Sequence, residues 1–243
     1  MRTLVFDVVG EYGQFKRPYS PMSPVSYPFP PPTAVLGMLG AIAGYAKDDY
    51  HDRLGWRTAR IGIALQAPVR TFHAAVNLLQ TKDGVDSYFR PRAGQNTHTQ
   101  IPFEFLRQPR FRLYVAGLHE LAMDRLADQL ASGRTAYTVS LGLASCLADV
   151  DWVGEWQARP LDSANWSCSS VVPLATDVTV HYADGRHYHR LRVPVTMDSQ
   201  RIVHRYQEVV AATDTNPITG RGGQGWLYAV GDAAIAFLSG AEP

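Results

Sequence analysis

Lysine is nearly missing from this chain: of its 23 basic residues, 20 are arginine and only Lys16, Lys47 and Lys82 are lysine. An arginine-favouring codon usage explains such a ratio, and so does a need for flat guanidinium groups that grip phosphate in pairs and stack on bases. Cysteine is almost as scarce. Cys146 and Cys168 have no second pair near them, which excludes a disulfide framework and a zinc-type cluster and leaves two buried thiols. The longest apolar run, Ala34 to Ala46, is too short to cross a bilayer and is broken by three glycines. Arg2 leads at once into the alternating run TLVFDVV, which carries no secretory pattern. The expectation is a cytoplasmic protein with no membrane contact. No serine elbow, phosphate-loop pattern or metal motif occurs, so nothing implies a cofactor or a metal.

What the chain does have is a globular composition. Its 243 residues are 46% hydrophobic and 19% charged, enough for a substantial core. Residues 2–9 alternate as a strand. Gly10 to Pro32 holds 7 of the 16 prolines and must run extended. From Thr33 the apolar residues Val35, Leu36, Leu39, Ile42 and Ala43 repeat at helical spacing, and Gly37, Gly40 and Gly44 predict close approach of this helix to a sheet. Ala59–Leu65 and Arg70–Leu79 read as strands, whereas Lys82–Pro109 shows no sustained period and reads as a long insertion. Arg110–Ala116 returns as a strand, Leu118–Ala131 as an amphipathic helix, and Cys146–Val153 as the next strand.

That order, βαββαβ with an insertion on the central hairpin, predicts an α+β fold with a ferredoxin-like domain over residues 1–155. Residues 160–243 predict a β-rich second subdomain. Asp184-Gly185 there suits a two-residue hairpin turn, which would set His181, Arg186, Tyr188, Arg190 and Arg192 on one face. Gly220–Gly225 reads as a flexible turn.

Formal charge totals +1, but the total is a cancellation. Arg70–Arg112 has 7 basic against 3 acidic residues, and Leu113–Asp162 has 3 against 7. The insertion adds Tyr88, Phe89, Gln95, Asn96, His98 and Gln100, a mixture of stacking faces and amides suited to single-stranded nucleic acid or to a solvated hairpin tip.

Three runs, SPVSYPFPPPTAVLGMLGAIAGY, TQIPFEFLRQPRFRLYV and YTVSLGLASCLADV, resemble the Cas-five (Cas5) family of type I CRISPR interference complexes, most closely its I-B branch. The resemblance spans roughly residues 1–155. It implies an RNA-recognition-like RAMP domain with a projecting thumb, here residues 82–109, and a subunit that grips the 5′ handle of the CRISPR RNA (crRNA). The implied partners are the backbone (Cas-seven) subunits and the large (Cas-eight) subunit, with target DNA reached through the complex. Carried onto this chain, the implied RNA contacts are Lys16, Arg17, Tyr19, Ser26 and Tyr27 in the proline-rich loop, and Arg90, Arg92, Gln95, Asn96 and His98 in the thumb. The helix N-terminus after that loop is a further place for a phosphate. One branch of the family cleaves repeat RNA without metal, using a tyrosine and a Lys-His pair. This sequence has no Lys-His dipeptide, Tyr45 and Lys47 being the nearest substitutes, so the expected role is non-catalytic, with metal-independent endoribonuclease as the alternative.

Overall fold

The structure, a computed structural model, describes residues 1–20, 23–79, 89, 93–94, 97–175, 177–223 and 225–239. Three helices and 17 strands are assigned among them. In the first part these are β1 (Arg2–Val9), β2 (Tyr12–Gly13), α1 (Pro32–Ala43), α2 (Tyr50–Leu54), β3 (Arg60–Leu65), β4 (Thr71–Leu79), β5 (His98–Arg107), β6 (Arg110–Ala116), α3 (Glu120–Ala131) and β7 (Asp149–Gln157). Then come β8 (Arg159–Pro160), β9 (Asn165–Cys168), β10 (Val172–Pro173), β11 (Thr179–His181), β12 (Tyr188–Met197), β13 (Val203–Ala212), β14 (Ile218–Arg221), β15 (Leu227–Val230), β16 (Ala233–Ala236) and β17 (Leu238–Ser239).

A five-stranded antiparallel sheet runs β17-β3-β6-β1-β7. Alternation along β1 sends Leu4, Phe6 and Val8 to one side and Val5 to the other. The first side meets Leu36, Leu39 and Ile42 of α1 and Met123 and Leu126 of α3. The second meets Val230, Ile235 and Phe237 near the C-terminus. Both faces of β1 are therefore covered, which accounts for its unbroken apolar character.

Residues after Pro160 build a cluster of their own around Trp166, Cys168, Val210 and Leu227. They also supply Val171, Val193, Val195 and Val209 to the core beneath α1, and β17 extends the main sheet along β3. Among the described residues no helix is long and apolar enough to cross a membrane.

Several local expectations change. The second half of the insertion is the strand β5, paired residue for residue with β4 from Thr71↔Leu106 to Leu79↔His98. The strand expected at Cys146–Val153 lies at Asp149–Gln157. The Asp184-Gly185 turn forms, with the Arg186 N–H donating to the Ala183 carbonyl at 3.3 Å, but the hairpin ladder does not. Instead β12 pairs at nine positions with β13, burying Val193, Val195 and Val209, while the three-residue β11 joins β14. The longer, apolar partner takes the ladder, so His181 is separated from the arginine face. The glycines of α1 admit a helix rather than a sheet: a Cβ on Gly40 would lie 2.9 Å from the Tyr50 ring of α2. In the Gly220–Gly225 segment, Gly220 packs under Trp166, where a Cβ would come within 2.2 Å of the indole.

Candidate functional site

The proline-rich loop folds back on itself as a narrow ribbon. Lys16 and Ser26 form an antiparallel bridge, the Arg17 N–H donates to the Val25 carbonyl at 3.0 Å, and the Tyr27 N–H donates to the Phe15 carbonyl at 2.8 Å. Ser26 fastens the ribbon from inside. Its hydroxyl accepts from the Phe15 N–H and donates to the Tyr27 carbonyl, and its own N–H donates to Glu104 on β5 at 2.9 Å. Tyr27 is equally buried, its hydroxyl donating to the Arg192 carbonyl at 3.1 Å, and burial pushes that phenol up to about 12. Both residues, expected among RNA contacts, thus act as fasteners with 2% exposure each.

The other three ribbon residues reach the surface. Lys16 is exposed and Tyr19 is 69% exposed. Arg17 is half-buried, held by the Ser26 carbonyl at 3.0 Å and the Tyr19 hydroxyl at 3.3 Å, with its guanidinium 5.4 Å from the Tyr27 ring centre. A cation, a fixed guanidinium and a free aromatic face are therefore presented together, the chemistry of a phosphate contact beside a base-stacking platform.

The ribbon forms one wall of a cleft of about 520 Å³, whose other walls include Thr33, Tyr50, Arg201 and Tyr206. At the cleft the first turn of α1 is a poor anion cradle. Pro31 and Pro32 have no N–H, and the N–H groups of Ala34 and Val35 donate to the Pro31 carbonyl.

Arg201 is the feature that sequence reading missed. It sits at φ 64° in the β12–β13 connection, an unusual conformation for a residue with a Cβ. Asp198 fixes that turn by accepting from the N–H groups of Gln200 and Ile202, and it meets His204 at 2.6 Å, contacts that hold its carboxyl below the usual range. Arg201 then donates to the Tyr50 hydroxyl at 2.5 Å and lies 5.1 Å from the ring centre. Burial pushes the Tyr50 phenol up, against the opposing pull of Arg201. Beneath it His51 stacks at 3.9 Å, fully buried. Burial, then the nearby Arg201, push that imidazole down, so it is neutral at pH 7. Tyr50 and Arg201 are 151 residues apart, and neither stands in a motif.

Elsewhere the expectations divide. His98 opens β5, exposed and 2.9 Å from the Thr97 hydroxyl; Arg90, Arg92, Gln95 and Asn96 lie outside the described residues. Tyr45 lies between the guanidinium groups of Arg53 and Arg125, at 5.5 and 5.3 Å, and Lys47 offers its carbonyl to Arg201. The arginine face at β12 is partly paired: Arg186, just before the strand, pairs with Asp214, Arg190 pairs with Glu208, and Arg192 covers the Tyr206 ring at 4.8 Å. Among the described residues no group of three metal-ligating side chains occurs.

Comparison with known proteins adds an independent line. The sequence model of a family described as CRISPR-associated protein (Cas_Cas5) matches residues 3–210. No curated protein matches the chain. Among solved structures it is similar to a CRISPR protein from Archaeoglobus fulgidus, with TM-score 0.58 and 15% identity over 97% of this chain and 98% of that one. A chain of a CRISPR RNA-guided surveillance complex aligns with TM-score 0.57 and 15% identity over 88% and 91%. A chain of the type III-B Cmr-beta complex bound to cognate target RNA and AMPPnP gives TM-score 0.50 and 10% identity over 91% and 86%. At such identities the likeness is one of fold: α+β, mostly strands with few helices.

Proposed function

The chain belongs to the Cas5 family of CRISPR-associated proteins, and from that premise we propose that it is a non-catalytic subunit of a type I surveillance complex, of the I-B kind, which binds and caps the 5′ handle of crRNA. The sheet order β3-β6-β1-β7 supports reading residues 1–155 as the ferredoxin-like domain, with the β4–β5 hairpin as the root of its thumb and residues 160–243 as a β-rich subdomain. Neighbours in this proposal are the backbone and large subunits, and the acidic segment around α3 and β7 is a surface suited to basic neighbours.

The observation that carries the reading is the solvent-facing set of Lys16, Arg17 and Tyr19 on a ribbon stiffened by buried Ser26 and Tyr27. A rigid support lowers the ordering cost of gripping a flexible strand. Substituting Lys16 and Arg17 by Ala is expected to weaken retention of handle-bearing RNA and to flatten its salt dependence. Retention unchanged at every salt concentration would remove the ribbon from the RNA path.

A second reading, metal-independent cleavage of repeat RNA, has one observation in its favour: Tyr50 and Arg201 bring a phenol and a cation together in the cleft. Against it, the adjacent His51 is fully buried, where its imidazole reaches no substrate, and the Tyr50 phenol is pushed up, away from the range of a base near pH 7. Incubation of the purified chain with repeat RNA in EDTA separates the readings. Intact RNA supports the binding role; a single specific cut supports the nuclease.

A further inference from the structure

Beyond the ribbon, three arginines with no carboxylate partner among the described residues lie together at the root of the β4–β5 hairpin. A second cleft of about 500 Å³ there is lined by Arg70, Arg107 and Arg110, with Glu11 and Asp149 also on its wall. The backbone places the three cations. The Arg107 N–H donates to the Arg70 carbonyl at 2.8 Å across the hairpin. Arg107 and Arg110 flank the two-residue connection Gln108-Pro109, where Gln108 takes φ 50° and its N–H donates to the Glu11 carbonyl at 2.7 Å. Arg110 pairs with Val9, whose other neighbour in the sheet is Asp149.

All three guanidinium groups are exposed, and among the described residues none of them meets a carboxylate. Five arginines elsewhere, Arg2, Arg53, Arg112, Arg186 and Arg190, each hold Asp or Glu. Glu11 and Asp149 line the same cleft yet form no ion pair with the three arginines. Three cations against two carboxylates that pair with none of them leave the cleft wall positive. Such an arrangement is matched by a ligand that brings several negative charges at regular spacing.

We propose that this cleft is a separate nucleic-acid contact, in which Arg70, Arg107 and Arg110 hold the phosphodiester backbone of a strand passing the hairpin root. The proposal goes beyond the ribbon contact and shares with it only the premise that the chain handles nucleic acid. Guanidinium forks suit phosphate oxygens, which accept two parallel N–H bonds from each. The contact is to backbone and not to base edges, so it positions a strand without reading its sequence.

The test is a full-length chain carrying Arg70→Gln, Arg107→Gln and Arg110→Gln together, measured for binding to handle-bearing repeat RNA and to duplex DNA over a series of salt concentrations. Three lost phosphate contacts are expected to reduce the log–log salt slope by roughly 2 on the single strand, or by roughly 3 on the duplex. A reduced slope on RNA assigns the cleft to the guide strand, and one on the duplex alone assigns it to DNA. Unchanged slopes on both overturn the proposal, as does weakened binding of a polyglutamate peptide with both slopes intact, which marks an acidic protein partner instead. A triple Arg→Lys chain keeps the charges and is expected to retain the slope, which guards against a folding defect in the Gln variant. If the Lys16/Arg17 variant loses RNA while the triple Gln variant keeps its slopes, this cleft falls and the ribbon reading stands; the reverse pattern leaves the cleft and removes the ribbon.

Discussion

Arg201 donates to the Tyr50 hydroxyl at 2.5 Å and so ties the β12–β13 turn to helix α2 across the mouth of the larger cleft. The same guanidinium also reaches the Lys47 carbonyl at 3.4 Å, so one side chain clamps two segments of the N-terminal part to one of the C-terminal part. Tyr50→Phe removes the acceptor while keeping the ring. It is expected to lower stability by about 1 kcal/mol, a charge-assisted bond discounted for the exposure of Arg201. A urea midpoint identical to that of the parent would mean that the clamp contributes nothing.

The two glycines on α1 facing Tyr50 are expected to respond in opposite directions. At Gly40 a Cβ would lie 2.9 Å from Tyr50 Cβ and Cγ, so Gly40→Ala forces α1 and α2 apart and is expected to cost about 1–3 kcal/mol. At Gly37 the nearest atom, the Tyr50 hydroxyl oxygen, would be 3.7 Å away, so Gly37→Ala gains helix propensity of roughly 1 kcal/mol with no clash. Thermal unfolding of the pair decides this, and equal shifts of the same sign would contradict the packing argument.

Acid is expected to destabilise the fold through two histidines. Burial pushes His51 and His189 down from 6.5, in each case aided by a nearby arginine, Arg201 and Arg17 respectively. The unfolded chain therefore takes up these protons first as the pH falls. Stability is full above about 6.5, is lost as the pH drops from there through the lower folded-state values, and levels off below them for these two groups. His51→Phe keeps the stack on Tyr50 and removes one proton from the balance. Its stability curve between pH 7 and 5 is expected to be flatter, and a curve parallel to the parent would exclude His51.

If Tyr19 serves as a stacking platform, its ring matters and its hydroxyl does not. Tyr19→Ala is expected to weaken binding to single-stranded repeat RNA by 1–3 kcal/mol, or roughly 5- to 150-fold, and Tyr19→Phe to leave it nearly unchanged. Fluorescence anisotropy distinguishes the two. A comparable loss in both variants would point to the hydroxyl and its bond from Arg17 as the working element.

How far the sequence could be read depended on the range of the signal. β1, α1, β3, β6 and α3 were legible because burial on a given side imposes a period of 2 or 3.6 on neighbouring residues. β5 was overlooked although Ile101, Phe103 and Phe105 alternate, because Pro102 and the exposed outer face dilute the pattern. Lys16, Arg17 and Tyr19, put forward by the resemblance as RNA contacts, stand at the surface, whereas the same resemblance put forward Ser26 and Tyr27, whose polar atoms turn inward to hold the ribbon.

The sequence by itself determined the alternation of strands and helices, the extended proline-rich loop, and the excess of arginine around the hairpin. These follow from local dihedral preference and from which residues must avoid water. Only the tertiary structure decided that β12 abandons its turn-mate for β13, that Arg201 meets Tyr50, and that Arg70, Arg107 and Arg110 share a cleft without a carboxylate partner. Those outcomes depend on competition among distant segments for the same ladder edge or the same counter-charge. That competition is settled by the area and charge each alternative buries, quantities that no stretch of neighbouring residues contains.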